Sequence, residues 1–150
     1  MSNTNIPSSE GMPVDGPGPR VLVVDDSSAL RAAIAETLEE GGCSVVGRAM
    51  DGSMALRMVM DEDPDVITLD LEMPRMDGFE VLRRLRMDTA TADLPVIMLT
   101  AKAQDADVFR GWQSGADCYL TKPFNPTELL VFVKRVLDPP PAEGGDRYQL

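Results

Sequence analysis

The apolar positions of this chain fall into short blocks whose character alternates along the sequence. Val21–Val24 (VLVV) is wholly apolar and rich in β-branched residues, as a strand covered on both faces requires. From Ser27 to Glu40, Leu30, Ile34 and Leu38 lie on one helical stripe that stops at Gly41-Gly42. Cys43–Ala49 (CSVVGRA) predicts a second strand. Ser53 to Asp61 predicts a helix with Met54, Leu56, Met58 and Val59 apolar, ended by Pro64. Asp65–Leu69 (DVITL) predicts a third strand, and Gly78 to Met87 a helix with Phe79, Leu82 and Leu85 inward. Pro95–Leu99 (PVIML) predicts a fourth strand, followed by a helix around Ala106–Ser114 that ends at Gly115. Cys118–Leu120 predicts the fifth strand, and Pro126–Leu137 the last helix, with proline in its first turn.

Five strand–helix units in succession, joined by short connections, require an α/β fold. The expected architecture is a doubly wound five-stranded parallel sheet with helices on both faces. Residues 1–19 are rich in Pro, Gly, Ser and Asn without apolar period and predict a flexible tail. Residues 20–137 then form one domain, and residues 138–150 (DPPPAEGGD onward) a second tail. No internal repeat is visible.

Composition narrows the chemistry. A hydrophobic fraction of 43% can fill a core. The formal net charge is −11, from 25 acidic and 14 basic residues, which disfavours direct binding to nucleic acid or to an anionic membrane. No segment approaches the ~20 apolar residues of a bilayer span, and the N-terminus lacks the basic start and apolar run of a secretory signal. Cys43 and Cys118 are too isolated for a disulfide framework, so a cytoplasmic location is expected. The ten methionines read as core filler. The chain has no histidine, which excludes Ser-His-Asp hydrolysis, His-ligated zinc and a phosphohistidine donor role.

In a parallel sheet of this kind ligands bind at the carboxyl ends of the strands. Strand one there ends in Asp25-Asp26, strand three in Asp70, strand four in Thr100, and strand five runs into Lys122-Pro123. Each has a plainer alternative. Asp26 equally suits a cap on the following helix, Asp70 a turn, and Lys122 a solvated charge. Taken together, three carboxylates, a hydroxyl and an ammonium on one rim call for a joint explanation. Clustered carboxylates need a cation, and an all-oxygen site suits Mg²⁺. With Lys122 and Thr100 ready to meet further oxygens, the set suits in-line phosphoryl transfer, Asp70 being the nucleophile beside a metal-holding Asp25–Asp26 pair.

Four stretches carry a family resemblance: VLVVDDS at 21–27, DVITLDLEMPRMDGFE at 65–80, PVIMLTA at 95–101 and GADCYLTKPF at 115–124. With their spacings, they resemble the receiver domain of bacterial two-component response regulators, a flavodoxin-like, CheY-like fold, over Arg20 to Leu137. The resemblance implies Asp70 as phosphoacceptor and Asp26 as a direct Mg²⁺ ligand. It implies Asp25 bound largely through water, the backbone carbonyl of Glu72 as a further ligand, Lys122 on the phosphoryl group and a cis Lys122–Pro123 bond. It also implies a switch in which the Thr100 hydroxyl moves toward the phosphoryl oxygens and the Tyr119 ring fills the vacated space. The alternative for Tyr119 is a half-buried strand residue with its hydroxyl in water.

Glu72 and Lys102, each two residues past a site residue, predict either a pair across the pocket mouth that hinders the attacking water or two solvated side chains. Trp112 is either an exposed partner anchor or packed along its helix. The implied donor is a sensor histidine kinase or a histidine phosphotransfer protein. The implied output is a protein target, from a stand-alone monomer or weak dimer that is not classed as an enzyme. No basic recognition helix is seen, so direct transcription control is not expected. VITLDLEMPRMDG is similar to chemotaxis methylesterase receivers, a lean toward chemotaxis or motility without an esterase serine motif. A phosphate sink or phosphotransfer intermediate, and a scaffold that no longer uses phosphate, stand as the alternatives.

Overall fold

The computed structural model describes residues 18–101 and 115–138. The elements run β1 (Arg20–Val24), α1 (Ser28–Glu40), β2 (Ser44–Ala49), α2 (Gly52–Glu62), β3 (Val66–Asp70), α3 (Gly78–Met87), β4 (Val96–Thr100), β5 (Cys118–Thr121) and α4 (Pro126–Leu137). The five strands form one sheet in the order β2-β1-β3-β4-β5, every neighbouring pair parallel. The architecture is the doubly wound parallel sheet that the alternating pattern predicts.

Period-two alternation divides the strand residues between two cores. Leu22, Val24, Ile67, Leu69, Val96 and Met98 pack on the face covered by α2 and α3, with Phe79, Leu82 and Leu85 beneath them. Val21, Val23, Val66, Ile97, Leu99 and Cys118 face the other way, onto Ile34 and Leu38 of α1 and Leu129 and Val133 of α4. Every residue of β3 and β4 is buried, which explains why these strands read as largely apolar runs without period-two alternation. Truncating one of these fully covered side chains, such as Leu69→Ala, costs about 2–5 kcal/mol.

The helices begin where local chemistry satisfies their free N–H groups. The cap of α1 is Ser27, whose hydroxyl accepts from Leu30 N, so Asp26 is released from the capping role the sequence left open. Asp77 caps α3, with Glu80 in its first turn and Arg84 and Arg86 in its last, in accord with the helix dipole. Asn125 and Glu128 form a capping box on α4. Among the described residues no helix is long and apolar enough to cross a membrane.

All five strands differ from the predicted bounds by one residue at one or both ends. β1 begins at Arg20 and β2 at Ser44, β3 spans Val66–Asp70, β4 spans Val96–Thr100 and β5 runs to Thr121. The reason is pairing: Asp70 opposes Leu99, and Leu71 N–H still donates to Leu99 C=O at 2.7 Å. Asp70 and Thr100 are therefore clamped strand residues rather than the first residues of loops. The predicted helix at Ala106–Ser114 lies outside the described residues, as do Lys102, Trp112 and both predicted tails but for Gly18, Pro19 and Asp138.

Candidate functional site

The chain leaves β1 toward β2 on one side and returns to place β3 on the other. That reversal opens a crevice at the carboxyl ends of β1 and β3, and the acidic residues stand there. One oxygen each from Asp25, Asp26 and Asp70 lies within 4.8 Å of the others. Asp25 is fully buried and Asp70 is 1% exposed, whereas Asp26 meets solvent.

The buried acids are held by backbone and by one cation. Ser27 N–H donates to Asp25 Oδ1 at 2.9 Å, and Glu72 N–H donates to Asp70 Oδ1 at 3.2 Å. Lys122 Nζ reaches Asp70 Oδ1 at 3.1 Å and Asp25 Oδ2 at 3.3 Å, bridging β1 and β3 from the far side of β4. The Lys122–Pro123 bond is cis, and Lys122 N–H donates to Thr100 C=O at 2.6 Å. Arg31 Nη1 donates to Asp25 C=O at 2.6 Å, which pins the end of β1 to α1. No feature of the sequence pattern pointed to Arg31.

One ammonium does not neutralise three carboxylates. Burial, followed by the charge of Asp25, pushes the Asp70 carboxyl up to about 7 from the ordinary 3.8, against the attraction of Lys122. Although burial opposes it, the charges of Asp70 and Asp25 hold the Lys122 ammonium above its ordinary value. Asp25 Oδ2 is buried and lacks an aligned hydrogen bond among the described residues, its contact with Lys122 being one of charge. A buried carboxylate oxygen in that condition is costly, and a hard divalent cation at the rim relieves it. The donor set fits Mg²⁺.

The loop after β3 closes tightly over the site. Gly78 N–H donates to Leu71 C=O at 2.9 Å. A Cβ on Gly78 would lie 2.6 Å from Asp70 C=O and 2.8 Å from Leu71 Cα, so only glycine admits this approach.

Thr100 is fully buried at the end of β4. Its hydroxyl donates to Glu72 Oε2 at 2.5 Å, and Ala101 N–H donates to Glu72 Oε1 at 3.1 Å. The sequence placed Glu72 at the pocket mouth opposite Lys102; the structure turns its carboxylate onto the end of β4. Lys102 lies outside the described residues, so their predicted pair has only its acidic half placed. Tyr119 is 8% exposed and packs in the α2–α3 core on the strand next to Met98, more deeply covered than a half-buried edge residue. A groove of about 470 Å³ beside Lys122 is lined by Leu30, Ala101, Pro123 and Phe124.

Residues 21–134 match the response regulator receiver domain. Over 119 residues the chain is 45% identical to the DNA-binding dual master transcriptional regulator RpaA of Synechocystis sp., covering 79% of this chain and 49% of that protein. It is 42% identical over 120 residues to the phosphate regulon transcriptional regulatory protein PhoB of Pseudomonas aeruginosa, covering 80% and 52%. The chain thus spans about half the length of these curated relatives. Among solved structures, the chemotaxis protein CheY4 of Vibrio cholerae superposes with a TM-score of 0.75 at 39% identity, covering 79% of this chain and 98% of that one. The receiver domain of NarL from Mycobacterium tuberculosis superposes with a TM-score of 0.75 at 32% identity, covering 83% and 100%.

Proposed function

Because the chain belongs to the response regulator receiver domain family, we propose that it accepts a phosphoryl group on Asp70 from a phosphohistidine donor. The observation that carries this reading is the meeting of Asp25, Asp26 and Asp70 around one point with Lys122 bridging two of them. Asp70 is the nucleophile. One of its oxygens bonds to phosphorus as the phosphorus–nitrogen bond of the donor breaks, and the departing imidazole keeps the electron pair. Lys122, already 3.1 Å from Asp70, moves its charge onto a phosphoryl oxygen, and the Thr100 hydroxyl donates to another. Asp25, Asp26, Asp70 and the backbone carbonyl of Glu72 would hold Mg²⁺. When bound, the ion neutralises the charge that gathers on the transferred group.

Receiver domains interact with histidine kinases, and the donor here is a sensor histidine kinase or a histidine phosphotransfer protein. The output is a change in binding to a protein target, carried by Thr100 and Tyr119 as a two-state repacking biased by the added charge. A net charge of −11 supports a protein rather than a nucleic-acid partner. RpaA and PhoB are named as transcriptional regulators, while CheY4 is named as a chemotaxis protein. Chemotaxis or motility is the pathway we favour, on the likeness of residues 66–78 to methylesterase receivers and the CheY4 superposition. The protein is a phosphoacceptor that assists its own turnover rather than an enzyme acting on others, and it works in the cytoplasm. A phosphate sink uses the same residues and differs only in how briefly the phosphoryl group is kept.

The test is incubation with Mg²⁺ and a small phosphodonor, followed by intact mass measurement. Wild type gains one phosphoryl group and Asp70→Asn gains none; uptake by Asp70→Asn, or by neither protein, removes Asp70 from the role.

A further inference from the structure

Two hydrogen-bond donors stand at the end of β4, the strand that pairs with β3 beside Asp70: the Thr100 hydroxyl and the Ala101 N–H. Both are occupied by one carboxylate. Glu72 takes the first on Oε2 at 2.5 Å and the second on Oε1 at 3.1 Å. This is how a bidentate anion is held. The backbone on each side is fixed, because Leu71 N–H is bonded to Leu99 C=O and Lys122 N–H to Thr100 C=O. The contact therefore joins the ends of two central strands rather than two wandering loops. Glu72 is also two residues from Asp70, and its own N–H grips the Asp70 carboxylate.

We propose that Glu72 is an internal competitor for the oxygen-binding donors of the site, a tethered anion that must leave before a phosphoryl group can be held there. This rests on Asp70 being the phosphoacceptor. The physical reason is exclusion. A hydroxyl has one proton and an amide has one, so neither donor can serve Glu72 and a phosphoryl oxygen together. The two anions also repel at this range. Glu72 thus engages the buried Thr100 hydroxyl in the resting protein. It sets a threshold that the phosphoryl group has to overcome. The device is autoinhibitory, and it ties release of Thr100 to arrival of phosphate.

The experiment compares wild type, Glu72→Ala and Glu72→Gln, using acetyl phosphate with Mg²⁺ and intact mass as the clock. Removing the competitor raises the rate of phosphoryl uptake by roughly tenfold in Glu72→Ala, the weight of one hydrogen bond to a charged group. Glu72→Gln, which keeps an acceptor for one donor only, falls between the two. The gain persists at high salt, whereas simple repulsion of the phosphodonor would be screened. A second readout needs no phosphate: amide hydrogen exchange at Ala101 in the resting protein speeds up in Glu72→Ala. Equal uptake rates in wild type and Glu72→Ala, a gain abolished by salt, or unchanged exchange at Ala101 overturns the proposal. If exchange at Ala101 responds but no variant, wild type included, accepts a phosphoryl group, the contact stands and the phosphoacceptor reading is what fails.

Discussion

Replacing Asp70 by Asn should stabilise the metal-free protein at neutral and mildly alkaline pH, although it removes the residue on which the proposed function turns. Asp70 is 1% exposed, beside buried Asp25, with its carboxyl raised from 3.8 to about 7. Between those two values the folded state holds a proton that the unfolded state has released. Stability therefore falls as pH rises from about 4 to about 7, and the loss is complete above that. A gap of about three pH units at ~1.4 kcal/mol each amounts to about 4 kcal/mol. Relaxation and water entry at the rim, where Asp26 already meets solvent, reduce this to about 2–3 kcal/mol. Asn has the shape of protonated Asp and never bears the charge. For a fold of this size the gain is roughly 6–10 °C in melting temperature. The assay is thermal unfolding in EDTA at pH 8 and pH 4. Asp70→Asn should melt well above wild type at pH 8 and level with it at pH 4. Mg²⁺ should raise wild type at pH 8 and leave the variant almost unmoved. An Asn variant no more stable than wild type at pH 8, or a difference independent of pH, refutes the claim that uncompensated charge burdens the resting site.

Lys122→Met leaves Asp25 and Asp70 without their shared ammonium; urea unfolding in EDTA at pH 8 should show a loss of about 3–5 kcal/mol, shrinking when Mg²⁺ is added. Gly78→Ala drives a Cβ against the Asp70 carbonyl and Leu71 Cα, so it should cost about 2–3 kcal/mol and slow phosphoryl uptake, both read on the same preparation. The Cys118 thiol is buried and pushed up to about 11 by that burial, so a disulfide reagent at pH 8 should modify it only as fast as the protein unfolds. Asn125→Ala removes the capping box of α4 and should lower stability by about 1 kcal/mol in chemical denaturation.

Much of this protein is set by short-range pattern. The apolar blocks at 21–24, 66–69 (broken only by Thr68) and 96–99, separated by helical stripes, point to a parallel sheet covered on both faces. Once that sheet exists, topology alone carries Asp25, Asp70, Thr100 and Lys122 to one rim, because each follows or ends a strand of the same direction. The resemblance of the four motifs assigned roles to those residues from the same positions.

Other features depended on partners distant in sequence. Which of Ser27 and Asp26 caps α1 was decided by the turn out of β1, where Asp25 takes Ser27 N–H and leaves Asp26 facing solvent. That β3 and β4 extend to Asp70 and Thr100 follows from their mutual pairing, which no single-strand pattern contains. The destination of the Glu72 carboxylate was likewise invisible, since a flexible side chain goes to whichever donors the folded chain presents, and Thr100 and Ala101 lie 28 and 29 residues away. Local order sets which segments become strands and helices. Only the assembled sheet sets distances between side chains, and with them the charge balance at Asp70, because those depend on backbone register across strands that meet nowhere in the sequence.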